Sequence, residues 1–138
     1  MATEHMFVFD RSFIAATDLS AAQFMVVSSS AAGVVDLCVA SSGTIAVVRR
    51  AYGVLQNNPT SGHAASVRRL GMTKAVASSS GTIGVGAFVA CSTAGTLMTA
   101  TSGMYVLGTA MSASTGGAGQ LIELELVGPF IYATATTT

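Results

Sequence analysis

Residues 121–127 read LIELELV, and their alternation is unbroken: Ile122, Leu124 and Leu126 fall on one side, Glu123 and Glu125 on the other. Successive side chains of an extended chain point to opposite faces, so this segment is a strand with one dry face and one wet face. Upstream the same period recurs from about residue 19, in short segments separated by Gly, Ser, Thr or Asn clusters. Strands are expected at 23–28, 34–40, 44–50, 52–56, 64–70, 73–77, 87–92, 96–101, 105–111 and 121–127. No amphipathic helix interrupts them. The pattern predicts an all-β fold, a compact β-barrel or sandwich of about 8 to 10 short strands.

The halves also resemble each other weakly. LSAAQFMVVSSSAAG at 19–33 is similar to IGVGAFVACSTAG at 83–95, which sets Phe24 against Phe88. YGVLQNNPTSGHAASV at 52–67 parallels VLGTAMSASTGGAGQLI at 106–122, each a glycine-containing strand, a small-residue turn and a returning strand. Two similar β-modules would produce such a pattern. The expected division is an N-terminal arm or first strand at 1–17, the β-domain at 18–132 and a flexible tail at 133–138. Met6, Phe7, Phe9 and Phe13 make the first segment unusually apolar for a disordered tail. It is either a strand packed on its own barrel or an arm that docks on a neighbouring subunit.

Composition narrows the function. The 138 residues suit one domain, the net charge is zero, and only 9% of residues are charged. There is no global basic footprint for nucleic acid. Mean hydropathy is high at +0.64, but Ser, Thr and Gly interrupt the uncharged stretch 75–122 before any run reaches the roughly 18 apolar residues of a spanning helix. No membrane association is expected. A surface with so few charges is usually covered in an assembly, so a homo-oligomer or docked subunit is expected. The start, MATEHMFVFDRSF, lacks the basic and apolar regions of an export signal.

The chemistry-bearing residues are sparse. His5 and His63 are the histidines, and His63 stands among the turn formers Asn57, Asn58, Pro59 and Gly62, where a solvated side chain is expected. No GxSxG elbow selects a nucleophilic serine. Cys38, His63 and Cys91 are isolated, unlike the closely spaced ligands of a zinc site. Gly81, Gly84 and Gly86 lack the GxGxxG spacing and the helix that would cradle a phosphate. No enzyme, metal or cofactor is expected. Cys38 and Cys91 lie in apolar runs as core thiols, or else form the one intrachain disulfide that two cysteines permit.

Charge is sorted into blocks. Arg49, Arg50, Arg68, Arg69 and Lys74 occur with no acid between them, whereas acids dominate before and Glu123 and Glu125 follow. Neighbouring strand positions point to opposite faces, so one arginine of each pair must face inward, near a barrel end, or meet another subunit. Both could be solvated at a bulge, or pair with Glu123 and Glu125 within the sheet or between subunits. A nucleic-acid patch would want interleaved exposed aromatics, which this block lacks. The candidate interface residues are therefore Met6, Phe7, Phe9, Phe13, Arg49, Arg50, Arg68, Arg69, Glu123 and Glu125.

The order of residues from about 18 to 127 resembles the capsid cement or head decoration proteins of tailed bacteriophages. Gly53, Val54, Leu55, Gln56, Asn57, Pro59, Gly62, Ala65, Val67, Gly71, Thr73 and Lys74 match the first part of that pattern. Ile83, Gly86, Phe88, Val89, Gly95 and Leu97 match the second. The resemblance implies a small, β-rich, non-enzymatic virion protein, made in the bacterial host cytoplasm and commonly a trimer. It would bind the capsid exterior, with the major capsid protein as partner, and stabilise capsomer junctions. It assigns no contact residues, and HMFVFDRSF departs from the short polar starts common in that family. The alternative class is a small ligand- or carbohydrate-binding β-domain, for which the lack of Trp and the three Tyr are a poor endowment.

Overall fold

The computed structural model describes residues 8–39 and 51–131, so the strand expected at 44–50, Met6, Phe7, Arg49, Arg50 and the tail at 133–138 lie outside the described residues. The described chain is all-β. Its strands are β1 (Phe9–Ala15), β2 (Val26–Ala31), β3 (Val34–Leu37), β4 (Ala51–Leu55), β5 (Ala64–Val76), β6 (Phe88–Cys91), β7 (Leu97–Thr99), β8 (Tyr105–Ala110) and β9 (Leu121–Ile131). Among the described residues one 3-10 turn, Thr93–Gly95, interrupts them. Among the described residues no helix is long and apolar enough to cross a membrane.

Hydrogen bonding runs in the order β1-β3-β2-β4-β5, and β5 returns to β1, which closes a five-stranded barrel. The closing pairs are the parallel Ile14↔Val34 and Ala15↔Val35 and the antiparallel register of β1 on β5. Closure satisfies the backbone groups that an open edge would leave exposed. The 9–15 segment is therefore a barrel strand, with Phe13 and Ala15 buried inside.

β5 is the hinge of the architecture. The sequence suggests two strands around Gly71, yet the structure has one of 13 residues. Gly71 turns the chain with φ +95° while keeping its place opposite Leu126, a conformation that residues with a Cβ seldom adopt. Before it, β5 pairs with β1 and β4; after it, with β9. β9, β8, β6 and β7 continue the sheet, and the parallel bridge Ala77↔Leu97 brings β7 back to the end of β5. A second five-stranded ring results, sharing β5 with the first.

The second ring repeats several bonds of the first. Ala15 N donates to His63 O at 3.0 Å, as Ala77 N does to Gln120 O at 2.8 Å. Ala16 N donates to Val35 O, as Ser78 N does to Leu97 O. Val27 faces Gly53 as Val89 faces Gly108. These bonds shift the alignment read from the sequence: Phe24 corresponds to Gly86 and Val26 to Phe88. Phe24 and Gly86 both have positive φ, and their amides donate to the equivalent carbonyls Leu55 O and Ala110 O. The aromatic match was a coincidence of composition.

Each barrel has its own core. Phe13, Leu19, Val27, Val35, Leu55 and Val67 fill the first. Ile83, Val89, Leu97, Ile122 and Leu124 fill the second, and the same cluster takes in Val26, Cys38, Ala51 and Val54 from the outside of the first. The barrels thus pack end to side. Gly95 N donates to Cys38 O at 2.8 Å and Val76 N to Phe24 O at 3.0 Å across this seam.

Candidate functional site

In β5 the inward parity of Ala65 and Val67 carries on to Arg69, and in β1 that of Ala15 and Phe13 carries back to Arg11. Both arginines emerge where the first barrel ends. There Phe13 and Tyr52 meet edge to face, with centroids 4.9 Å apart and an interplanar angle of 80°. The Arg69 guanidinium lies 4.0 Å over the Tyr52 ring, and that of Arg11 lies 5.4 Å from the Phe13 centroid. The ring faces attract the cations and hold them without neutralising them. Neither arginine has a carboxylate at ion-pair distance among the described residues.

Arg68, of opposite parity, is committed. Its Nε and Nη2 donate to the two oxygens of Asp10 at 2.8 and 3.0 Å, and Nη1 donates to Met72 O at 2.9 Å. The Arg68 guanidinium holds the Asp10 carboxyl below its ordinary range, chiefly through these hydrogen bonds. Arg68 therefore finds its partner 58 residues away in β1, not at Glu123 or Glu125. Next to this pair Phe9 and Leu70 face each other across β1 and β5, and both are exposed.

Glu123 and Glu125 lie on the exposed face of β9, with Ile122, Leu124 and Leu126 buried behind them, as the alternation predicts. Glu123 stands opposite Lys74, and Glu125 between Met72 and Thr109. The candidates thus divide. Phe9, Arg68 and Arg69 gather with Arg11 and Tyr52 at the end of the first barrel; Phe13 supports them from inside the core; Glu123 and Glu125 occupy the second barrel. Sequence reasoning did not reach Arg11 or Tyr52, because only the closed ring brings β1 and β4 to one end.

The remaining chemistry-bearing residues lie elsewhere. His63 is exposed, with Nδ1 2.8 Å from Thr60 Oγ1. Cys38 and Cys91 are buried at the seam and not joined in a disulfide, and Cys91 Sγ donates to Cys38 O at 3.4 Å. Its hydrogen bonding with Cys38, then burial, push the Cys91 thiol far up, so it carries no thiolate. A cavity of about 230 Å³ opens beside β7 among Ser78, Ser80, Thr82 and Thr99, and no aromatic ring lines it. It offers little to a sugar, which binds on aromatic faces, and it is smaller than usual ligand pockets.

No family model matches the chain, and no curated protein matches it. Among solved structures it is similar to the head fiber gp8.5 N base of bacteriophage phi29, with a TM-score of 0.60 and 16% sequence identity. The match covers 91% of this chain and 100% of that one. The two share a fold over that length.

Proposed function

We propose that this protein is a structural component of a tailed-phage virion that binds the outside of the assembled capsid and reinforces capsomer junctions. The observation that carries the reading is the extent of the likeness to a phage head fiber base: it takes in nearly the whole of this chain and all of the other. A double barrel with short, paired edges and sparse surface charge suits a rigid, non-catalytic role in an assembly. Its partner on the head is the major capsid protein, and it acts as a homo-oligomer, a trimer being favoured. Many copies each bury modest area, and the spacing of capsomers in the expanded shell makes attachment multivalent.

The end of the first barrel supplies contact chemistry for the homo-oligomer. Arg69 and Arg11, stacked on rings and free of carboxylates among the described residues, lie beside exposed Phe9 and Leu70. Aromatic and arginine side chains are the groups that dominate protein interfaces. The test is pelleting: the purified protein mixed with expanded empty heads sediments with them at a fixed ratio and leaves free coat protein unbound. Equal binding to both, or to neither, contradicts the proposal.

A further inference from the structure

The internal repeat identifies a second surface and its occupant. Within one chain, the end of the second barrel is capped by the side of the first. Cys91, Leu107 and Leu126 at that end share a buried cluster with Val26 and Val54. A Cβ at Gly95 would meet Leu37 Cδ2 at 2.9 Å and Val26 O at 3.0 Å, which measures how closely the two barrels approach. The register of the repeat gives the equivalent end of the first barrel: Ser29, Gly33, Tyr52 and Arg69. There a Cβ at Gly33 would meet nothing within 4 Å. Among the described residues the same end is closed in one barrel and open in the other.

The capping side has its counterpart too. Val26, Val54 and Arg68 form one row across β2, β4 and β5; the matching row in the second barrel is Phe88, Thr109 and Glu125 across β6, β8 and β9. Val26 and Val54 are fully buried, whereas Phe88 is 43% exposed and Glu125 is exposed. Met104 packs over the neighbouring Ala100 and Val106. Both surfaces change character together. Leu107 and Leu126 of the closed end become Tyr52 and Arg69 at the open end, while Val26 and Arg68 of the capping row become Phe88 and Glu125.

We infer that the Arg11–Tyr52–Arg69 end of the first barrel receives the Phe88–Thr109–Glu125 row of a second copy of this chain. The contact reproduces between molecules the end-to-side packing that joins the two barrels within one. An apolar seam is replaced by cations on rings facing an acid and a ring, so copies recognise each other by charge as well as shape. The two patches differ, so the contact is heterologous, and a closed oligomer built on it is a ring. The inference specifies the homo-oligomer of the proposed function and does not depend on attachment to a head.

Sedimentation and light scattering of the full chain alone provide the test, apart from any head-binding assay. The wild type is expected as a discrete oligomer. Arg69→Glu and Glu125→Arg each raise the dissociation concentration roughly tenfold or more, with unchanged circular dichroism. The double variant, with both charges exchanged, regains the oligomer; this recovery separates pairing from mere loss of the Tyr52 stack. A monomeric wild type, a mass indifferent to both reversals, or a double variant that stays dissociated overturns the inference. So does an Arg69→Glu protein that keeps its mass but no longer pellets with heads, since the arginine end would then face an acidic capsid surface.

Discussion

Two residues show what the repeat tolerates. Ser28 is fully buried and its Oγ has no hydrogen-bond partner among the described residues, while the equivalent position in the second barrel is the buried Ala90. An unsatisfied buried hydroxyl is a desolvation cost with no return. Ser28→Ala is therefore expected to leave stability unchanged or raise it by up to about 1 kcal/mol, measured by urea unfolding. Asp10 behaves oppositely. Its folded pKa is depressed by Arg68, so the stabilisation is present in full above the unfolded carboxylate value of about 3.9 and is lost as pH falls through the lower folded value. The pair is largely solvated, so Asp10→Asn costs about 0.5–1 kcal/mol near neutral pH. The difference between variant and wild type should shrink toward zero in unfolding curves taken progressively below pH 4. The seam thiols give a third outcome: Ellman's reagent reacts with neither Cys38 nor Cys91 in the native protein and with both after denaturation, because the thiols are buried and Cys91 is held protonated.

At the scale of elements, the crossing of β4 over β5 and of β8 over β9 sets the tightest constraint. A Cβ on Gly53 would stand 2.3 Å from Arg68 O, and one on Gly108 would stand 2.0 Å from Glu125 O. Both obstacles are backbone, which cannot swing aside. Gly53→Ala and Gly108→Ala are each expected to lose about 3 kcal/mol, read as a fall in melting temperature. Strands of this kind are legible in sequence where one face is wet and one dry, as in β9, because burial itself writes the alternation. β5 was not legible as one strand. Gly71 reads as a break between segments, and only the change of partners from β4 to β9 shows it to be a bend within a continuous strand. Nor could the pairing of Asp10 with Arg68 be read, since register between strands 58 residues apart has no local signature.

For the whole molecule, the sequence carried the all-β class and a hint of two modules, but it set Phe24 against Phe88, where hydrogen bonding sets Phe24 against Gly86. A chain so rich in Ala, Ser and Gly aligns with itself in several ways, and backbone bonds select among them. The shared strand joins two barrels whose equivalent ends differ among the described residues: one is capped internally, the other left open with Arg11, Tyr52 and Arg69. Among the interface candidates, alternation marked Glu123 and Glu125, and charge sorting marked Arg68 and Arg69. It did not separate the arginine bound to Asp10 from the one that stacks on Tyr52.

The most direct measurement is the melting of expanded empty phage heads by calorimetry, with and without saturating protein. Reinforcement of capsomer junctions predicts that the head transition moves to higher temperature and that the shift saturates at a fixed number of copies per head. A head transition that stays in place while the protein melts independently would contradict the account.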